Sequence, residues 1–159
     1  MNDPAQQPRR EKHIAGDPAS EQTTARRSAE VMLGSDEASR ALGIELVDVG
    51  PGRARMRMRV TETMVNGHAI AHGGLVFALA DSAFAVACNS HGTVTVASGA
   101  DITFVSPGRL GDVLVADAVE HARFGRSGLT DVTVTRQDDG SVVALVRGRS
   151  RSLGRPIEP

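Results

Sequence analysis

The chain has 159 residues, a formal net charge of −1, one cysteine, four phenylalanines and neither tryptophan nor tyrosine. That length suits a single domain with a substantial core, and the near-zero charge provides no electrostatic footprint for nucleic acid or an acidic membrane. So few aromatics argue against a base-stacking surface, and a lone Cys88 excludes an internal disulfide or a cysteine-based metal cage.

Residues 1–27 hold Ile14 as their only large aliphatic beyond Met1. This composition predicts an N-terminal tail that is disordered or ordered only against a partner. The domain is then expected over residues 28–154, with a short C-terminal tail at 155–159. The basic pair Arg9-Arg10 has no apolar stretch behind it, so no signal peptide is expected. No apolar run reaches membrane-spanning length. A soluble, cytoplasmic protein is the expectation, without a nucleic-acid or membrane partner.

From Ser28 to Leu42 the pattern is loosely helical, interrupted at Gly34-Ser35, where a new cap can start. Gly43 to Val49 reads as a strand, and Pro51-Gly52 makes a turn. Arg53, Arg55, Arg57 and Arg59 then alternate with Ala54, Met56, Met58 and Val60. A period of two predicts a half-buried antiparallel strand whose arginines form a solvated face. An apolar segment follows at 74–88, rich in alanine and carrying a single carboxylate, Asp81. Strand signals resume over Thr93 to Val105, Val113 to Phe124, Leu129 to Arg136 and Val142 to Arg149, the last two joined through Asp138-Asp139-Gly140.

A helix apolar nearly all round needs a sheet to wrap it. The order predicts an α+β fold of hotdog type, one curved antiparallel sheet around one long central helix. Such a sheet leaves edge strands open, and a dimer that continues the sheet is the expected remedy.

Chemistry concentrates in Asn66-Gly67-His68-Ala69-Ile70-Ala71-His72-Gly73-Gly74 and the helix it enters. Gly73, at the helix start, offers a backbone N–H that suits an oxygen on which negative charge grows. The alternative is a small residue required by packing. Asp81 comes eight residues later, about 12 Å along a helix axis at roughly 1.5 Å per residue. One carbonyl cannot be reached by both groups in one chain. Either Asp81 works on a carbonyl held by the Gly73 of a second chain, or it makes local polar contacts. His68 and His72 are four apart, but they lie in a loop without an intervening glutamate or an obvious third ligand, so no metal is expected. His72 reads as an orienting residue or as a structural loop histidine. Asn66 reads as a donor to a carbonyl or attacking water, or as ordinary turn chemistry. Cys88 reads as a small buried hydrophobe. Arg123, Arg126, Arg147, Arg149 and Arg151 are surface charges or phosphate contacts, with none singled out.

The stretch Asn66-Gly67-His68, four residues, then Gly73-Gly74, continuing through Phe77-Ala78-Leu79-Ala80-Asp81-Ser82-Ala83-Phe84-Ala85 and Ala87-Cys88-Asn89-Ser90, resembles the hotdog-fold acyl-CoA thioesterases. The likeness is strongest to the phenylacetic acid degradation type and covers roughly residues 30 to 152. It implies hydrolysis of an aryl- or phenylacetyl-type CoA thioester by a homodimer assembling into a homotetramer. No cofactor is implied, coenzyme A being part of the substrate. Asp81 matches the family's catalytic acid, as nucleophile or general base, and Gly73 its backbone donor, supplied by opposite protomers. Asn66 and His72 match supporting polar residues. The competing readings are a hydratase or dehydratase and an acyl-CoA-binding sensor. The first is weakened because no histidine falls within 74–88, the second because binding alone gains little from a buried carboxylate.

Overall fold

The computed structural model describes residues 17–158. Helix α1 (Pro18–Gly34) and the short α2 (Glu37–Ala41) precede strands β1 (Glu45–Gly50) and β2 (Arg53–Arg59). A 3₁₀ turn (Glu62–Met64) leads to the central helix α3 (Gly73–Asn89). Then come β3 (Thr93–Phe104), β4 (Val113–Phe124), β5 (Ser127–Arg136) and β6 (Val142–Pro156). The six strands form one sheet in the order β1-β2-β4-β5-β6-β3, antiparallel throughout. This is the α+β hotdog arrangement that the order of apolar and alternating segments predicts.

Alternation decides the faces of β2. Arg53, Arg55, Arg57 and Arg59 are exposed, while Ala54, Met56 and Met58 are buried against α3. The arginines are not merely solvated, because Arg55 stands opposite Asp117 of β4 and Arg57 opposite Glu45 of β1. Both form cross-strand ion pairs. Exposed pairs of this kind contribute about 0–1 kcal/mol each, so they set register more than stability.

Helix α3 buries Val76, Leu79, Ala80, Ala83, Phe84, Val86 and Ala87. Its alanines allow close approach, and Gly148 of β6 shows how close. A Cβ there would lie 2.7 Å from the Phe84 ring, inside van der Waals contact. At the C-terminal end, buried Asn89 ties α3 to β3. Its Nδ2 donates to the carbonyls of Ala85 (2.9 Å) and Thr95 (2.7 Å), and its Oδ1 accepts from the Thr95 N–H at 2.8 Å. One stripe of α3 is left incompletely covered: Gly74, Phe77, Ala78, Asp81, Ser82 and Ala85. These positions recur every three or four residues and so share one side of the helix.

Two boundaries differ from the expected ones. Helix α1 begins at Pro18, so residues 18–27 belong to the domain rather than to a tail. The residues that seat it are small: Ala25 is fully buried, with Ser28 and Ala29 beside it on the same helical face. Close helix packing through small side chains escapes a reading based on large aliphatics. The part of the expected tail before residue 17 lies outside the described residues. The helical stretch over 28–42 breaks at Gly34, where the sequence places its interruption, and Asp36 caps α2 by accepting from the Ser39 N–H at 2.9 Å. Strand β6 runs on through Pro156, so Arg155 and Pro156 sit in the sheet's last strand rather than in a C-terminal tail.

Gly148→Ala is expected to lower unfolding free energy by about 1–3 kcal/mol, the usual range for overpacking a core. The readout is a lower urea midpoint at unchanged slope. An unchanged midpoint would show that the Phe84 ring yields freely.

Candidate active site

The loop before α3 is held from both sides. His72 donates its N–H to the Met64 carbonyl at 2.8 Å, and Ala71 donates to Gly108 at 2.9 Å. Asn66 organises the tip: its Oδ1 accepts from the N–H groups of His68 (2.9 Å) and Ile70 (3.4 Å). Its backbone N–H donates to Ile70, and its carbonyl accepts from Ala69, both at 2.9 Å. The turn is tight enough to place Ala69 in the left-handed region, at φ 58°. Asn66 therefore has a structural role through Oδ1, and only its Nδ2 remains for other partners.

His72 is the N-cap of α3, its Nδ1 accepting from the Gly74 N–H at 3.0 Å. Helix starts leave several N–H groups without intrahelical acceptors. Here the cap takes up the Gly74 group, and the Gly73 N–H meets no acceptor among the described residues. That free donor borders a cavity of about 470 Å³, whose walls include Asn66, Val76, Phe104, Pro107 and Val143. The Phe104 ring lies so close over Gly73 that a Cβ there would come within 2.8 Å of Cζ. Glycine at 73 thus keeps both the ring and the bare amide in place.

Asp81 lies two turns further along α3, on the uncovered stripe, and is not among the cavity walls. Its carboxylate has no hydrogen-bond or ion-pair partner among the described residues, and burial pushes its pKa above the ordinary aspartate range. Beside it, a polar chain fixes the neighbouring side chain. Hydrogen bonds from Ser39 hold the Asp36 carboxyl below its usual pKa, so Asp36 is ionised and Ser39 donates to its Oδ2 at 2.6 Å. Ser39 Oγ lies 2.9 Å from Ser82 Oγ, and with its own proton engaged it must accept from Ser82. Ser82 is thereby turned toward α2, leaving Asp81 without it.

The structure brings Asn66, His72 and Gly73 together and keeps Asp81 apart from them within one chain. Two contributors lie outside the sequence reading, the Phe104 ring over Gly73 and the Ser39–Ser82 bond. Phe104 had a signal, since it precedes the turn Val105-Ser106-Pro107-Gly108 that closes the cavity. Ser39 had none, because a serine in a short helix looks like any surface residue. Cys88 is buried, and its thiol is pushed up to about 12 by burial and by the nearby Glu120 carboxylate, so it is inert.

Comparison with known proteins agrees with this fold. The family described as the thioesterase superfamily matches residues 68–143. Acyl-coenzyme A thioesterase PaaI of Escherichia coli is 42% identical over 130 residues, which cover 82% of this chain and 92% of that protein. The solved structure of the E. coli PaaI protein, from the phenylacetic acid degradation operon, superposes with a TM-score of 0.84 at 40% identity, covering 86% of this chain and 99% of that one. A Streptococcus mutans protein solved bound to acetyl CoA has a TM-score of 0.68 at 26% identity, covering 71% and 90% of the two chains. The chain belongs to the thioesterase superfamily and has its hotdog fold.

The raised pKa of Asp81 has a consequence for stability. The folded chain holds the proton more tightly than the unfolded one, so stability is greatest below the unfolded pKa and is lost as pH rises through the folded one. At neutral pH the ionised carboxylate is a burden that Asp81→Asn removes. The variant is expected to melt above the wild type at pH 7, with the gap closing as pH falls below the ordinary aspartate range. A variant that melts lower at pH 7 would show that Asp81 has a stabilising partner.

Proposed function

We propose that this chain hydrolyses acyl-CoA thioesters, with aryl or phenylacetyl-type acyl groups preferred, at sites shared between two copies. The observation that carries the reading is the unpaired Gly73 N–H opening on an apolar cavity, with the one carboxylate of α3 lying out of its reach on the same helix. Two features support a second copy as the remedy. The stripe of α3 that carries Asp81 is uncovered, and β3, at the sheet edge, pairs on one side only, with β6. Exposed Val96 and Phe104 lie along that edge. A two-fold pairing of β3 edges extends the sheet, covers the stripe and carries the Asp81 of one copy toward the Gly73 of the other. Pairing of such dimers into a tetramer is part of the same proposal.

In this arrangement the thioester carbonyl accepts from the Gly73 N–H at the positive end of α3. Negative charge grows on that oxygen as the carbonyl carbon is attacked, and the preorganised amide stabilises it. His72 orients the loop by capping the helix, and the Nδ2 of Asn66 faces the bound group. Asp81 either attacks the carbonyl carbon, forming an anhydride that water then opens, or takes a proton from the attacking water. The C–S bond breaks in both routes, and the products are the free acid and coenzyme A. A thioester is activated enough for one carboxylate and one donor to suffice. The raised pKa of Asp81 favours a base, and the phenylalanine-walled cavity suits an apolar acyl group. The operon of the E. coli relative supports an arylacetyl one. Among the described residues, no helix is long and apolar enough to cross a membrane.

A panel of acyl-CoAs with a thiol-trapping reagent is expected to release coenzyme A, fastest for an arylacetyl member. Asp81→Asn should lower kcat by about 100-fold or more with binding retained. The wild-type kcat/KM should fall as pH drops through a value above the ordinary aspartate range, since the ionised form acts. Chelation is expected to leave turnover unchanged. Tight binding without release would instead mark a sensor, and loss of a substrate double bond a hydratase.

A further inference from the structure

Among the described residues, the contact between Ser39 and Ser82 is the one hydrogen bond that joins α2 to α3. Ser39 is buried, and each of its polar groups is used. Its N–H donates to Asp36 Oδ1 at 2.9 Å and its hydroxyl to Asp36 Oδ2 at 2.6 Å. Its Oγ accepts from Ser82 at 2.9 Å, and its carbonyl accepts from the Ile44 N–H at 2.9 Å. A helix of five residues has little stability of its own, so α2 depends on such bonds for its seat. The ionised carboxylate at the head of the chain strengthens the hydrogen bonds that follow it.

Ser82 follows Asp81 directly and lies about 100° further round the helix, at roughly 3.6 residues per turn. That places it at the margin of the uncovered stripe. Its bond to Ser39 therefore lays α2 along the flank of the stripe beside Asp81, and the open side is left to a second copy. Burial is the cause of the raised pKa of Asp81, so the element that packs beside the carboxylate controls how basic it is. No charge on a neighbouring element competes with this. On α2, Asp36 is engaged by Ser39, and Glu37 pairs with Arg40. Helix α1 packs through Ala25, Ser28 and Ala29. On α3 itself the Cys88 thiol stays protonated. The strands turn uncharged residues into the core, and Glu120 of β4, held by His91, acts on Cys88 rather than on Asp81.

We propose that Ser39 and Ser82 are positioning residues, their hydroxyl bond holding α2 as the wall that keeps water from the flank of the Asp81 carboxylate. The proposal rests on the hydrolysis reading above and deepens it, since a carboxylate stripped of water is a stronger base and nucleophile than a hydrated one. The wall belongs to the same chain as the acid, so this part of the activation is in place before substrate binds.

Ser82→Ala deletes the bond and leaves the Asp36 cap of α2 intact. The acid limb of its kcat/KM profile is expected to lie about half a pH unit or more below that of the wild type, because water re-enters beside Asp81. On the plateau kcat should fall about two- to fivefold at nearly unchanged KM. Ser39→Ala should match it, and the double variant should do no more than either single one, because both remove the same bond. Ser39→Thr keeps the hydroxyl and should restore the wild-type limb. A carbon-13 NMR titration of the Asp81 carboxyl, which needs no substrate, should move down in Ser82→Ala as the limb does. Should Ser39→Ala fail to fold, Ser82→Ala and the titration still decide. An unmoved limb and titration in Ser82→Ala, effects that add in the double variant, or a Ser39→Thr that behaves as Ser39→Ala would each overturn the assignment. A wild type that cleaves no acyl-CoA, with the titration still lowered in Ser82→Ala, would sink the hydrolysis reading and keep the wall. Turnover that depends on Asp81, with the titration unmoved, would sink the wall alone.

Discussion

The constraint on which this structure depends is the burial of α3. A helix with apolar residues on nearly every side must be covered on nearly every side, and a curved antiparallel sheet is the single element that does so. The cover works because the contact surfaces are small. Alanines on α3 and Gly148 on β6 let backbone approach backbone, and Phe84 fills the space that remains. Wrapping cannot be complete, however, because the sheet ends at β1 on one side and β3 on the other. The incomplete side of the wrap is where Asp81 lies.

Two ends of the same helix acquire different chemistry from this burial. At the N-terminal end His72 satisfies one of the orphan amides, while the Gly73 N–H has no acceptor among the described residues. At the C-terminal end Asn89 Nδ2 donates to the Ala85 carbonyl, and Ser90 Oγ donates to Ala87 at 2.7 Å and accepts from the Gly52 N–H at the same distance. One end keeps a free donor and the other is tied down by side chains. Asp81 sits between them, its pKa raised by burial. A carboxylate kept there without a partner among the described residues is the feature on which the proposed shared site rests.

The edge position of β3 connects these features to assembly. An edge strand of 12 residues bearing exposed Val96 and Phe104 is an open template. Its two ends are also the walls of two separate hollows, one apolar and lined by Phe104, the other hydroxyl-rich and lined by Thr93. The symmetric contact proposed along that edge would bring unlike ends together, apolar beside polar, without adding any element to the fold.

Period and composition alone determined much of this. The alternation of Arg53 to Val60 marked β2 and its faces, the alanine-rich run marked α3, and Asp138-Asp139-Gly140 marked the last hairpin. Local rules govern each of these, so local sequence carries them. The arithmetic of eight residues between Gly73 and Asp81 likewise showed that the two cannot meet in one chain. Tertiary structure alone decided the rest. It seated α1 through Ala25 and Ala29, set the Phe104 ring over Gly73, and drew Ser82 away to Ser39. It also separated Arg147 and Arg149, which form ion pairs, from Arg123 and Arg126, which form none among the described residues. Contacts between residues distant in the chain depend on which surfaces the fold presses together, and no window of sequence contains that information.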